Sequence, residues 1–67
     1  MTYEKAQKIQ IGDRLKASYN MGKWNKGDIC IVVFIEPDFP MFTVGEVFNK
    51  NKNEIQGCNF QSLEYAD

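Results

Sequence analysis

The feature that most constrains the fold is an uninterrupted apolar run from Ile29 to Ile35, which follows a Lys-Gly-Asp turn and stops before Glu36-Pro37. The run is rich in β-branched residues and too short to span a membrane. Period-2 alternation puts Ile29, Ile31, Val33 and Ile35 on one face and Cys30, Val32 and Phe34 on the other. We predict the central strand of a small, strongly curved sheet; a buried helix is the alternative, since periodicity alone does not separate the two.

The length of the chain favours closing this sheet into a barrel. A strand that is apolar on both faces needs cover on both. A chain of 67 residues forms one domain, residues 1–67, and buries only about 60% of its unfolded surface. We therefore expect an all-β, five-stranded barrel.

The remaining elements follow from local signals. Thr2 can N-cap a short helix that docks through Tyr3 and Ile9. Three further strands are predicted near residues 14–19, 41–48 and 54–58, with an exposed hairpin tip at 49–53. Residues 59–65 are predicted to form a 3₁₀ turn and a short closing strand, the fifth. Gly45 inside a strand suggests a bulge or a sharp bend.

Three short motifs resemble SH3-like barrels, in particular stand-alone bacterial or phage-encoded ones. Ala17-Ser18-Tyr19-Asn20 stands where SH3 domains carry Ala-Leu-Tyr-Asp. Trp24-Asn25-Lys26-Gly27-Asp28-Ile29 resembles their diverging turn, and the segment from Gly57 to Tyr65 resembles their Gly-x-x-aromatic and 3₁₀ ending. The resemblance spans residues 11–65 and implies a binding module.

The chain also departs from the SH3 domains that bind Pro-rich ligands. The loop Met21 to Asn25 is short and basic where those domains are acidic, the ligand-stacking tryptophan is replaced within Ile55 to Cys58, and Gln61 stands in place of a proline. Tyr19 and Tyr65 alone could line such a groove. This chain therefore lacks most of the aromatic groove that recognises a polyproline helix.

No catalytic or metal-binding constellation is visible. The chain has no histidine and two cysteines, so neither a general base for neutral pH nor an activated thiol is expected, and a structural zinc site lacks ligands. We expect no enzyme activity, cofactor or metal. Cys30 and Cys58 are expected to be buried thiols, or a disulfide only if their Cα atoms lie within about 7 Å.

Three binding hypotheses remain. The first is a protein-binding module that presents Tyr19, Lys23, Trp24, Phe39 and Met41, which by analogy would suit a phage or mobile-element protein that modulates or inhibits a host protein. Trp24 is either a plug over the barrel end or an exposed anchor. Phe39 lies between two prolines and is the better candidate for exposure, with Met41 beside it.

The second hypothesis is nucleic-acid binding through the basic N-terminal half, with Arg14, Lys16, Lys23 and Lys26 as phosphate contacts. The net charge of −1 argues against it. The third is a structural subunit that self-associates through an edge strand near Ile55. Because a secretory leader is not apparent, we expect a cytoplasmic protein without membrane contact.

Overall fold

The computed structural model describes residues 1–37 and 43–66. It contains one short helix, five strands and one 3₁₀ turn, so the prediction of a β-rich domain with five strands is confirmed. The elements are α1 (Tyr3–Ala6), β1 (Arg14–Ala17), β2 (Ile29–Ile35), β3 (Val44–Asn49), β4 (Glu54–Asn59), the 3₁₀ turn (Phe60–Ser62) and β5 (Leu63–Tyr65).

The strands form a single antiparallel sheet in the order β4-β3-β2-β1-β5. The apolar run is the middle strand, as the sequence predicts. Leu15 of β1 lies opposite Cys30 of β2 on one side and Tyr65 of β5 on the other. The two edges of the sheet are therefore β4 and β5.

One face of the sheet carries the core. Leu15 and Ala17, Cys30 and Val32, Val47 and Leu63 are all buried, and the ring of Phe60 packs among them without exposure. This inner face obeys the two-residue alternation of strands, because Arg14, Glu46 and Ile55 on the alternate positions are exposed. This core contains the largest fully buried apolar side chains of the described residues.

The N-terminal segment covers one part of the inner face. The Thr2 hydroxyl accepts a hydrogen bond from the Lys5 amide, which confirms the predicted N-cap. The segment docks through Ala6 and Ile9, both buried, whereas Tyr3 is 38% exposed. The expected docking through Tyr3 is wrong because the four-residue helix turns its Ala6 side inward and Tyr3 outward.

A β-bulge in β2 changes which side chains face outward. Val32 lies opposite Val47, but the next pair joins Phe34 to Glu46, so Val33 is an extra residue. Both side chains of a bulge point to the same face as the residue opposite. Phe34 is therefore exposed beside Val33, and the prediction that Phe34 shares a face with Cys30 and Val32 is wrong.

The structural reason for a glycine at position 45 differs from the predicted bulge or sharp bend. The bulge lies in β2 and not at Gly45. A Cβ atom on Gly45 would overlap the carbonyl oxygen of Phe34 and come within 2.8 Å of Cζ of Phe60. Glycine is needed here because the Phe60 ring and the backbone of the neighbouring strand leave no room for a side chain.

A buried polar network joins the turn before β2 to the β3–β4 hairpin. Oδ2 of Asp28 accepts hydrogen bonds from the Asn25 amide at 3.0 Å and from Nδ2 of Asn49 at 3.1 Å. The same Asn49 amide group donates to Gln56, and its oxygen accepts from the backbone of the hairpin tip. Among the described residues, no buried side-chain nitrogen or oxygen atom lacks a hydrogen-bond partner, as burial requires.

Candidate binding site

A groove runs between the β1–β2 loop and the edge strand β4. Its volume is about 350 Å³, and its walls are Gly22, Lys23 and Trp24 on one side and Ile55, Gln56 and Gly57 on the other. Two backbone hydrogen bonds between Met21 and Trp24, of 3.1 and 2.8 Å, close the loop into a tight hairpin. Gly22 at its turn has a φ of 51°, a conformation that glycine adopts without steric cost.

Trp24 combines the two roles that the sequence leaves open. The side chain is half-buried and packs against the core cluster. It also lines the groove. One part of the indole therefore fixes the loop against the core, and the other part remains available to a partner, as is common for tryptophan at interfaces.

The backbone of β4 offers unpaired hydrogen-bonding groups to this groove. The Phe60 amide donates to the Thr43 carbonyl, and the register continues through Cys58–Gly45 and Gln56–Val47. In an antiparallel pair the hydrogen-bonded positions alternate. The N–H and C=O groups of Ile55, Gly57 and Asn59 therefore point away from β3. The described residues supply no backbone partner for them.

The charge in the groove comes from one lysine. Lys23 is exposed and has no ion pair within residues 1–37 and 43–66. The polar wall opposite is already engaged, because Gln56 donates to Glu54 at 2.8 Å and accepts from Asn49. The groove thus presents an uncompensated cation beside the apolar surfaces of Trp24 and Ile55.

The structure brings together only some of the residues predicted to bind a partner. Lys23 and Trp24 meet in the groove. Tyr19 is 52% exposed on the same loop but does not line the groove, and it lies beyond β1, which ends at Ala17. Phe39 and Met41 lie outside the described residues.

The four cations of the nucleic-acid hypothesis occupy two separate places. Arg14 and Lys16 project from β1, where Lys16 is 3.6 Å from a carboxylate oxygen of Glu64. Lys23 and Lys26 belong to the β1–β2 loop, and the Lys26 amide donates to the Asn20 side chain. Of these four side chains, Lys23 lines the groove.

Ile55 and Gly57 are the site residues that the sequence did not assign to a ligand groove. Ile55 entered only the self-association hypothesis. The sequence marks Ile55 as a large apolar residue at an outward position of a strand, and in the structure Ile55 is 60% exposed. Gly57 was noted only as the start of the SH3-like ending, and nothing in the sequence indicated that it lies beside a groove.

The thiols give no sign of reactivity. Cys30 and Cys58 are both free. Burial, with a smaller contribution from the charge of Asp28, raises the pKa of Cys30 to about 11. Burial, with a smaller contribution from Cys30, raises the pKa of Cys58 to about 12. Both are mainly in the thiol form at neutral pH, and a thiol is a poor nucleophile.

A second groove, of about 410 Å³, has Glu36 and Glu46 but no cation among its described walls. The described residues contain no group of three or more His, Cys, Asp or Glu side chains placed to hold a metal ion. No helix in the described part of the chain has the length and apolar character needed to cross a membrane.

No family model matches the chain, and neither curated proteins nor solved structures show a significant similarity to it.

Proposed function

We propose that the protein is a non-catalytic protein-binding module that takes up an extended peptide segment of its partner along β4. The observation that carries the proposal is the edge of β4, where Ile55 and Gly57 line a groove and direct away from β3 backbone groups that have no backbone partner among the described residues. An added strand would satisfy these groups, and side-chain pockets on either side would provide specificity.

The proposal includes the SH3-like architecture expected from the sequence. A strand order of β4-β3-β2-β1-β5 with a 3₁₀ turn before β5 is compatible with such a barrel. The core on one face of the sheet supports the closure of that face. The binding surface proposed here differs from an aromatic groove for polyproline, because it depends on a strand edge.

The walls of the groove define the chemistry of the partner segment. Trp24 and Ile55 favour apolar side chains, and Lys23, which has no ion pair in the described part of the chain, favours a carboxylate. Gly57 leaves space for a side chain of the incoming strand at the centre of the groove. The partner segment is thus extended, with an acidic residue next to apolar ones.

A proline at position 57 tests the proposal most directly. The Gly57 amide points away from β3, so Gly57→Pro removes a donor to the partner and leaves the β3–β4 hydrogen bonds in place. Gly57→Ala is the matched control because it keeps the amide, and its Cβ would have only an ordinary contact, at 3.9 Å from the Gly45 carbonyl oxygen. Far-ultraviolet circular dichroism verifies that both variants fold.

The binding probe is a displayed library of linear peptides selected on the wild-type protein. We expect enriched sequences to combine apolar and acidic residues, and to shift the emission of Trp24, the single tryptophan. Gly57→Pro should weaken the selected peptide at least about tenfold, and Gly57→Ala less than about threefold. Lys23→Glu should weaken it too, whereas Lys26→Glu should not.

Two results would overturn the proposal. One is a selected peptide that binds Gly57→Pro as tightly as wild type. The other is a single-stranded oligonucleotide that binds more tightly than any peptide, with an affinity that falls steeply as salt rises; the second hypothesis would then replace the first. Modulation of a host protein remains a prediction that needs the partner itself.

A further inference from the structure

The face of the sheet opposite the core carries a band of apolar side chains. We call it the outer face and define it by the cross-strand row Arg14, Ile31, Phe48 and Ile55. The neighbouring row joins Glu64, Lys16 and Ile29. Three of the four residues in the defining row are apolar, which is unusual for a sheet face in contact with water.

The bulge enlarges this band. Val33 and Phe34 both point outward, with 39% and 40% of their surfaces exposed, and Ile29 and Ile31 precede them on the same strand, half-buried. The middle strand thus presents four apolar side chains to the outer face. The prediction that both faces of β2 are covered fails here, because closure of a sheet buries only its inner face.

Charged residues flank the apolar column on both sides. Arg14 lies on β1 and Glu46 on β3, the two neighbours of β2. Both side chains are exposed, and neither has an ion pair within residues 1–37 and 43–66. A free cation and a free carboxylate thus stand on opposite sides of the same column.

We propose that a second copy of this chain packs on the outer face, sheet against sheet, about a two-fold axis parallel to β2. Such an axis places β1 of one copy over β3 of the other. Each Arg14 then lies over β3 of the second copy in the row of Phe48, two residues from Glu46. A long arginine side chain can reach along the strand to Glu46, and the two-fold symmetry forms both opposite-charge contacts at once. An axis perpendicular to the strands would place β1 over β1 and bring like charges together.

The size of the face sets the strength of the dimer. The molecule measures 29 × 21 × 20 Å, so a sheet face buries about 400 Å² per copy, or about 800 Å² in total, which is less than the roughly 1,200 Å² of a stable interface and fits a transient one. We expect a reversible dimer with a dissociation constant of about 0.1 mM. Its affinity should fall as salt rises, because the charged side chains of Arg14 and Glu46 are exposed to solvent.

Reversal of the two charges tests this geometry. Sedimentation equilibrium of the full chain would be measured at concentrations up to about 1 mM for wild type, Arg14→Glu, Glu46→Arg and the double variant. Each single reversal should weaken the dimer about tenfold, and the double reversal should restore it to within about threefold of wild type. Lys8→Glu, an exposed position next to α1, is the control for the change in net charge.

Three results would overturn the inference. They are a 7.8 kDa monomer at every concentration, a dimer that ignores both single reversals, and a double variant as weak as the single ones.

Discussion

At the scale of single residues, Gly45 shows how a small residue can hold a large one in place. Its backbone lies under the Phe60 ring, which is fully buried, and beside the carbonyl of Phe34. Phe60 begins the 3₁₀ turn that leads into β5. The space left by one absent side chain therefore determines how the last part of the chain closes on the sheet.

We expect Gly45→Ala to lower the free energy of unfolding by at least about 2 kcal/mol, because the new Cβ has to displace strand backbone and not merely a flexible side chain. The measurement is the urea midpoint with an unchanged slope. Gly57→Ala is the control, since the same atom is added to a strand glycine with open space around it. Equal midpoints for the two variants would contradict this interpretation.

At the scale of elements, the Asp28–Asn49–Gln56 network ties the turn before β2 to the β3–β4 hairpin. The hydrogen bond from the Asn25 amide, followed by that from Asn49 and the charge of Lys52, holds the pKa of Asp28 below its ordinary value of 3.8. These effects outweigh the desolvation of the carboxylate. The folded state is consequently stabilised by the charged form of this one side chain.

The pH dependence of the free energy of unfolding follows from the lowered pKa of Asp28. Because the pKa is lower in the folded than in the unfolded chain, the stabilisation is present above about pH 4 and is lost as pH falls through the folded-state pKa. We expect Asp28→Asn to be less stable than wild type at neutral pH, and the difference to shrink toward about pH 2. Urea unfolding at a series of pH values measures both; a difference that is constant with pH would contradict the expectation.

The elements themselves were predictable because their signals are local. The Thr2 cap, the alternation of Leu15 and Ala17, the hairpin tip and the Phe60 turn all depend on neighbours within a few residues. The bulge was not predictable, because Val33 and Phe34 are both apolar and fit either face of a strand. Similarly, Gly45 signalled a departure from regular packing but not its cause, which comes from Phe60.

The site was less predictable than the fold. Lys23 and Trp24 were recognised from their loop, but their groove exists only because that loop meets β4 about thirty residues later in the chain. Sequence patterns do not reveal which loop lies beside which edge. Ile55 was noted as an edge residue, and its role as a groove wall required the tertiary arrangement.

At the scale of the whole molecule, the core is a single cluster that takes side chains from four strands, the 3₁₀ turn and the N-terminal segment. A domain of this size is expected to unfold in one cooperative step. Cys30 is a suitable reporter of that step because it is buried in the cluster, and burial raises the pKa of its thiol to about 11.

We expect Cys30 in a Cys58→Ser variant to be alkylated only when the entire domain unfolds. Its labelling midpoint in urea should coincide with the midpoint of Trp24 fluorescence, since the tryptophan packs on the same core. Pulsed alkylation with mass spectrometry gives the first midpoint. Labelling that is complete well before the fluorescence changes would mean that the β2 region opens independently.

The extra residue in β2 also affects how this chain is to be compared with others. Up to Val32, even-numbered positions of the strand face inward; after the bulge, Ile35 opposite Gly45 follows the other parity. A gap-free alignment with an unbulged strand would match buried positions to exposed ones over one half of β2. An alignment gap at Val33 or Phe34 would restore the correspondence, so a relative with a regular strand would be one residue shorter here and equivalent everywhere else in the strand.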